Sequence, residues 1–285
     1  MKRNIILLDG AQGTLLMERA AERGLEKAPV WSYSMTAPDM VGDVARDYAL
    51  AGSEIICANT FGANRLTVEK ESSYTSEEII SASVRAAKDA LTGTGAKTAL
   101  DIGPLSVMME PYGNLSEEEA REVFAQMIRA GEKAGADCIF LETFFDLNML
   151  CAAAQAAAET GLPVYCSMSF EKNGRTLLGN SVGEFVESIA EYRPVSVGMN
   201  CSLGPELALP VIREFSQKTD LPLFFKPNAG MPRFTPDGKA VYDLTPSDFA
   251  AEIAPALELG TIGFLGGCCG TDPEFIRTLK TLIER

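Results

Sequence analysis

Residues 116–148 read SEEEAREVFAQMIRAGEKAGADCIFLETFFDLN, the pattern of one helix followed by one strand. Ser116 and Glu119 have the spacing of a capping box, in which each side chain caps the first turn of the helix. Gly131 or Gly135 marks the end of the helix. The run at residues 138–143 is apolar on both faces and predicts a strand in a parallel sheet that is covered by helices.

The same helix-and-strand alternation recurs along the whole chain. Apolar segments rich in β-branched or aromatic residues lie at residues 5–9, 54–59, 98–103, 138–143, 164–170, 196–201, 221–227 and 262–267. Helical patterns cover residues 76–91, 116–135, 148–161, 182–192, 204–219, 245–260 and 272–284. Eight such strands within 285 residues favour a closed (β/α)₈ TIM barrel over an open sheet. Because no linker or low-complexity tract divides the chain, we predict a single domain over residues 1–285.

The composition narrows the classes of partner and of catalytic chemistry. A formal net charge of −14 argues against binding to nucleic acids and to anionic membranes, since phosphates require clustered cations. The N-terminal segment lacks the apolar core of a signal peptide, so we expect a cytoplasmic protein whose thiols stay reduced. The absence of histidine excludes Ser-His-Asp and Cys-His triads and histidine-based zinc sites.

In a barrel of this kind, residues at the carboxyl ends of the strands face the active site. The polar residues and thiols at these predicted ends are Asp9, Asn59, Thr60, Glu142, Thr143, Ser167, Ser169, Asn200, Cys201, Asn228, Cys268 and Cys269. Strands six, seven and eight are neighbours, so barrel closure brings Cys201 close to Cys268 and Cys269. Glycines beside the paired cysteines allow both thiols to face one point.

Three thiolates at one point suit a borderline metal ion, and zinc is the ion that we expect. The fourth tetrahedral position would stay open for a substrate. The other cysteines are interpreted as small buried apolar residues, which is the usual state of a lone thiol. These are Cys57, Cys138, Cys151 and Cys166.

Zinc at such a site either activates water or binds a substrate thiol as its thiolate. A hydrolase would need a general base, for which Asp9 and Glu142 are the available carboxylates. Placed on opposite sides of a pocket, the same two carboxylates would more naturally hold a substrate ammonium group.

Seven motifs distributed from the first strand to the last resemble the homocysteine S-methyltransferase family. They are LLDGAQGTLL, GSEIICANTFGANR, DIGPLS, LETFFDLN, GMNCSLGP, KPNAGMP and GGCCGTDPEFI. The pairing of NC after the sixth strand with GGCCG after the eighth is the most specific of these features. The resemblance implies a zinc-dependent TIM barrel that transfers a methyl group to the sulfur of homocysteine and so produces methionine.

The resemblance also assigns roles to individual residues. It implies that Cys201, Cys268 and Cys269 are the zinc ligands and that Asn228 can take the fourth zinc position until the substrate thiol displaces it. The residues implied to bind homocysteine are Asp9 and Glu142, which hold its amino group, and the backbone at Gly10 and Ala11.

The motifs ETFFDLN and PNAGMP look most like the homocysteine domain of cobalamin-dependent methionine synthase. That likeness implies a methylcobalamin or other methylcorrinoid donor on a separate protein or domain. S-methylmethionine, betaine or another small donor is the alternative. A third possibility is a protein that binds zinc or homocysteine without turnover.

Overall fold

The computed structural model describes residues 5–236 and 240–284. In its described part, eight parallel strands form one sheet: β1 (Ile6–Leu7), β2 (Ile55–Cys57), β3 (Lys97–Ile102), β4 (Cys138–Phe144), β5 (Val164–Met168), β6 (Ser196–Asn200), β7 (Leu223–Lys226) and β10 (Ile262–Leu265). A two-stranded antiparallel hairpin, β8 (Arg233–Phe234) and β9 (Ala240–Val241), lies between β7 and β10 in the chain.

The sheet closes into a barrel. Its strand order is β1-β10-β7-β6-β5-β4-β3-β2. A parallel bridge between Leu8 and Ile55 joins β1 to β2, the two strands at the ends of this order. The amide of Glu54 donates to the carbonyl of Leu7 at 2.7 Å across the same seam. The predicted TIM barrel is therefore confirmed, and each of the eight predicted segments contains or overlaps one of its strands.

Helices follow the strands and cover the outside of the barrel. In the described residues they are α1 (Gln12–Glu22), α2 (Tyr33–Thr36), α3 (Pro38–Ala51), α4 (Arg65–Glu71), α5 (Ser76–Leu91), α6 (Glu117–Ala134), α7 (Leu147–Ala158), α8 (Val182–Ile189), α9 (Pro205–Lys218), α10 (Pro246–Leu257) and α11 (Pro273–Ile283). The seven predicted helical patterns correspond to α5 through α11. Helices α1 through α4 were not among the predictions. None of the helices in the described ranges has the length and apolar character needed to cross a membrane.

The capping box predicted for α6 is present. The hydroxyl of Ser116 accepts from the amide of Glu119 at 3.2 Å, and the Glu119 carboxylate accepts from the amide of Ser116, also at 3.2 Å. Gly135, at φ 93°, ends the helix in the left-handed conformation. Gly131 lies inside α6, where a Cβ would come within 2.5 Å of the Leu100 side chain, so it permits close packing of the helix on β3.

Aromatic rings fill the inside of the barrel. Phe140 packs edge-on against Tyr165 and Phe224, with ring centroids 5.0 and 5.2 Å apart, and Tyr165 packs against Phe264 at 4.9 Å. Such edge-to-face contacts are favourable for aromatic rings. These buried rings fill the barrel interior, and in this fold the active site lies at the carboxyl ends of the strands.

Candidate metal centre and substrate cavity

A cavity of about 350 Å³ lies at the carboxyl ends of the barrel strands. Its lining includes the thiols of Cys201, Cys268 and Cys269. It also includes four ionisable side chains, those of Asp9, Asp101, Glu142 and Lys226. The cavity thus combines a group of sulfur ligands with a cluster of buried charges.

The structure brings the three predicted metal ligands together. Their Sγ atoms all lie within 4.8 Å of one another, and those of Cys201 and Cys269 are 3.9 Å apart. Cys201 follows β6 directly, whereas Cys268 and Cys269 lie in the loop after β10. Three sulfur atoms this close together on the wall of a cavity are a ligand set that would suit a zinc ion.

Hydrogen bonds from the β7 loop fix the backbone on both sides of this site. The amide of Cys201 donates to the carbonyl of Lys226 at 3.1 Å, and the amide of Cys268 donates to the carbonyl of Pro227 at 2.8 Å. The amide of Ala229 donates to the carbonyl of Cys269 at 2.9 Å. Cys201 itself has φ 61°, which is uncommon for a residue with a side chain. The loop therefore holds the thiols together at some cost in backbone strain.

Gly267 allows the loop after β10 to fold back so that its backbone packs against Thr271. A Cβ on Gly267 would lie 2.4 Å from Thr271 Oγ1, closer than real Cβ contacts permit. That hydroxyl donates to the carbonyl of Cys268 at 2.7 Å and accepts from the amide of Ala11 at 3.2 Å. The glycine thus permits a contact that links a cysteine of the site to the turn before α1.

Contacts among the three thiols shift their pKa values in different directions. Hydrogen bonds from Cys201 and Cys268 lower the pKa of Cys269 to about 3. The pKa of Cys268 is raised well above its ordinary value by its hydrogen bonds with Cys201 and Cys269. Closely spaced thiols oppose one another's ionisation, and a bound cation is what would allow all three to ionise.

Asn228 supplies a buried oxygen beside the same loop. Its side chain is 2% exposed, and its Oδ1 has no hydrogen-bond partner in the described structure. Leaving a buried acceptor unsatisfied costs on the order of 1–3 kcal/mol. Three sulfur donors and one unsatisfied oxygen in the loop that contacts them are the types of ligand that suit a four-coordinate zinc ion, as the family resemblance implies for Asn228.

Asp9 and Glu142 are brought together by a residue that the sequence interpretation did not single out. The Lys226 ammonium lies 2.9 Å from Asp9 Oδ1 and 3.2 Å from Glu142 Oε2. Burial lowers the pKa of Lys226, but the carboxylates of Asp9 and Glu142 outweigh burial and hold the pKa well above its ordinary value. The ammonium is also 5.9 Å from the ring centroids of Phe140 and Phe224. The sequence feature that could have identified Lys226 is the presence of a lysine in the apolar segment before PNAG.

Asp101 is the second cavity residue that sequence reasoning missed. It lies within β3 in the DIGP motif, is 7% exposed, and has an Oδ1 without a hydrogen-bond partner in the described structure. Burial and the nearby Glu142 carboxylate raise its pKa well above the usual range for aspartate. Burial likewise raises the pKa of Glu142, although Lys226 opposes the shift. An acidic residue inside an otherwise apolar strand was the available signal.

The Asn200 side chain contacts both Thr143, which follows Glu142 in β4, and Cys268 of the three-thiol group. Its Oδ1 accepts from the amide of Thr143 and from the hydroxyl of Ser167, both at 2.8 Å, and its Nδ2 donates to Thr143 Oγ1 at 2.7 Å. Nδ2 also lies 3.9 Å from Cys268 Sγ. Thr143 has φ 66°, so this network holds another strained residue next to Glu142.

The remaining predicted strand-end residues have mainly structural contacts. Thr60 Oγ1 accepts from the amide of Asp101 at 3.0 Å and donates to its carbonyl at 2.8 Å. Asn59 donates to the carbonyl of Val30 at 2.8 Å. Ser169 donates to the carbonyl of Asn200 at 3.3 Å. These contacts hold the strand ends in place around the cavity.

Gly10 and Ala11 form the turn between β1 and α1 and line the cavity. A Cβ on Gly10 would lie 2.7 Å from Thr271 Oγ1 and 2.9 Å from the Tyr48 hydroxyl, so only glycine fits. The Tyr48 hydroxyl donates to the carbonyl of Ala11 at 3.0 Å. Helix α1 begins at Gln12, and the amides of its first turn have no partner within the helix.

The four cysteines interpreted as apolar residues are not part of the three-thiol group, although Cys57 lines the same cavity. Cys57, Cys138 and Cys166 are buried in strands, and Cys151 is partly buried on α7. Cys57 has a polar contact as well, because its amide donates to Asp9 Oδ2 at 2.8 Å. Its thiol also lies within 4.8 Å of carboxylate oxygens of Asp101 and Glu142.

Comparisons with known proteins identify relatives of this chain. The chain is 27% identical over 303 aligned residues to the methionine synthase of Mycobacterium leprae (strain TN); the match covers all of this chain and 25% of that protein. The chain therefore spans about a quarter of the length of this relative.

Solved structures of the homocysteine methyltransferase MmuM from Escherichia coli share the fold. The oxidised form superposes with a TM-score of 0.80 and the metallated form with 0.79; each is 23% identical, with 98% of this chain and 96% of that chain covered. Identity this low supports the fold alone. The sequence profile described as "Homocysteine S-methyltransferase" matches residues 6–283, and the chain therefore belongs to the homocysteine S-methyltransferase family.

Proposed function

We propose that this chain binds zinc through Cys201, Cys268 and Cys269 and transfers a methyl group to the thiol of homocysteine, giving methionine. The observation that carries the proposal is the placement of three thiols within 4.8 Å of one another on the wall of a cavity that also contains Asp9 and Glu142. Family membership supplies the reaction type. The three thiols supply a reason for the choice of zinc.

The chain offers a ligand set for zinc and a route to a substrate thiolate. When bound, zinc would lower the pKa of a coordinated substrate thiol and so replace the general base that a chain without histidine lacks. Asn228 would take the fourth position until homocysteine arrives, which would satisfy its unpartnered Oδ1. A cytoplasmic location, as expected from the sequence, would keep the three cysteines reduced.

The buried charges would orient the amino acid part of the substrate. Lys226 lies between Glu142 and Asp9, and the three side chains carry a net charge of −1 when all are ionised. An ammonium group would neutralise that charge. The turn at Gly10 and Ala11 and the free amides at the start of α1 line the same cavity and suit the substrate carboxylate.

In the transfer step the substrate sulfur attacks the methyl carbon in line. The sulfur–carbon bond forms, the bond between the donor and its methyl group breaks, and the donor leaves with the electron pair of that bond. The thiol proton has already passed to solvent. The chain would contribute thiol deprotonation and the alignment of two reactants.

The proposed donor is a methylcorrinoid carried by a separate protein or domain. Similarity to a methionine synthase, a protein about four times as long as the matched region, supports this choice. S-methylmethionine, betaine or another small donor would use the same thiol site and is the alternative.

A donor panel tests the proposal. Zinc-loaded protein is incubated with homocysteine and, separately, with methylcobalamin, a methylated corrinoid protein, S-methylmethionine or betaine, and methionine is measured. We expect methionine from the corrinoid donors. If methionine forms only with a small donor, the proposed corrinoid donor is wrong. If the protein binds zinc and homocysteine but forms no methionine with any donor, it is a binding protein and the proposed turnover is contradicted.

A further inference from the structure

We propose that Asp101 is a substrate-binding residue that accepts a hydrogen bond from the amino group of homocysteine, next to Glu142. The inference rests on the proposed function, because it extends the site for the same substrate. Neither the family resemblance nor the sequence interpretation assigned a role to this residue. It would make the cavity specific for thiols that carry an ammonium group.

The backbone of Asp101 is held firmly at the cavity wall. Thr60 Oγ1 contacts both its amide and its carbonyl, at 3.0 and 2.8 Å. Asp101 also pairs with Phe140 in the register between β3 and β4. A residue fixed in this way can present its carboxylate to a ligand without losing much further conformational freedom on binding.

One carboxyl oxygen of Asp101 lacks a hydrogen-bond partner in the described residues. Its Oδ1 is buried and unpartnered within the described residues, although the side chain lines the cavity. The contrast with Asp9 is sharp, because Asp9 accepts from Lys226 Nζ at 2.9 Å, the amide of Cys57 at 2.8 Å and Gln12 Nε2 at 3.1 Å. A new donor in the cavity therefore gains most by binding to Asp101.

The charges around Asp101 specify the kind of donor. A carboxyl oxygen of Asp101 lies within 4.8 Å of one from Glu142, so two acidic groups face each other at close range. Lys226 contacts Asp9 and Glu142, and no ion pair joins it to Asp101 in the described structure. Three carboxyl groups thus share one cation, and a ligand ammonium would stabilise their ionised forms.

The same group is a poor site for a divalent metal. The Lys226 ammonium, held against Glu142 at 3.2 Å, would repel an ion bound to that carboxylate. Burial and the Asp9 carboxylate raise the pKa of the Cys57 thiol well above its ordinary value, so the thiol stays neutral and is a weak ligand. A primary ammonium offers three donors and fits a group of carboxylate acceptors.

The test compares two ligands that differ only in the amino group. Homocysteine and 4-mercaptobutyrate are titrated calorimetrically into zinc-loaded wild type, Asp101→Asn and Asp101→Ala. The control is Asp220→Asn, which removes one exposed carboxylate in the loop before β7, at the opposite end of the barrel. Zinc content is measured for every protein.

We expect both Asp101 variants to bind homocysteine about tenfold to a hundredfold more weakly, because Asp101→Ala removes the acceptor and Asp101→Asn removes the negative charge that strengthens a hydrogen bond from an ammonium group. Their affinity for 4-mercaptobutyrate should stay within about twofold of wild type, and the control should resemble wild type with both ligands. Zinc content should be unchanged in all of them.

Three results would overturn the role of Asp101. They are wild-type homocysteine affinity in Asp101→Asn, equal weakening of both ligands, and loss of a second metal equivalent in the variant. Failure of the proposed function looks different, because zinc-loaded wild type would then bind neither thiol.

Discussion

Lys226 Nζ lies 2.9 Å from Asp9 Oδ1, and the two side chains are 3% and 0% exposed. The residues are 217 positions apart in the chain, and barrel closure between β10 and β1 brings their strands near each other. A buried ion pair is strongly destabilised when one partner is removed, because the remaining charge has no compensation.

We therefore expect Lys226→Met to lower the free energy of unfolding by about 3–5 kcal/mol, measured by urea denaturation. Lys133→Met is the matched control, because it breaks the exposed Lys133–Glu77 pair and should leave stability close to wild type. Adding Asp9→Asn to Lys226→Met should recover part of the loss. Equal stability of the two single variants would contradict a structural role for the buried pair.

Asp101 should make stability depend on pH. Burial and Glu142 raise its pKa in the folded chain above that in the unfolded chain, so its contribution favours folding at low pH and is lost as the pH rises. The loss of stability begins at about pH 4, where an unfolded aspartate ionises. It amounts to about 1.4 kcal/mol for each unit by which the pKa in the folded chain exceeds that in the unfolded chain.

Asp101→Asn should therefore match wild type below about pH 4 and be the more stable protein at neutral pH. Urea denaturation of both proteins over this range measures the difference. A variant that is less stable than wild type at neutral pH would show that the Asp101 carboxylate stabilises the fold.

Gly267→Val should weaken zinc binding although every proposed ligand remains. The added side chain would displace Thr271, whose hydroxyl donates to the carbonyl of Cys268 at 2.7 Å. We expect about tenfold to a hundredfold lower zinc affinity, the usual effect of disturbing groups that orient metal ligands, in competition with a chelator. Gly161→Val is the control, since a Cβ there has no neighbour within 4 Å. Unchanged zinc affinity in Gly267→Val would refute the role of this glycine.

The barrel and its thiol group could be predicted from sequence because both follow from topology. Parallel strands joined by helices occupy consecutive places in the sheet, so loops after β6 and β10 must lie on either side of the β7 loop. Cys201, Cys268 and Cys269 are therefore neighbours whatever the details of packing, and the structure brings their sulfur atoms together.

Lys226 and Asp101 were missed because both lie inside strands that read as apolar segments. Which face of a barrel strand a side chain takes, and which charge it meets across the interior, depends on strand stagger. A one-residue change of register would point the Lys226 side chain to the other face of the sheet, away from Asp9. Periodicity alone cannot specify such a pairing.

The central claim is that three thiols hold one zinc ion to which homocysteine binds. Its most direct test is metal analysis of wild type, Cys269→Ala and Glu142→Ala combined with homocysteine titration. We predict one zinc per chain in wild type, loss of both zinc and homocysteine binding in Cys269→Ala, and retained zinc with weaker homocysteine binding in Glu142→Ala. Native protein that contains no zinc and binds homocysteine as tightly as the zinc-loaded form would contradict the claim.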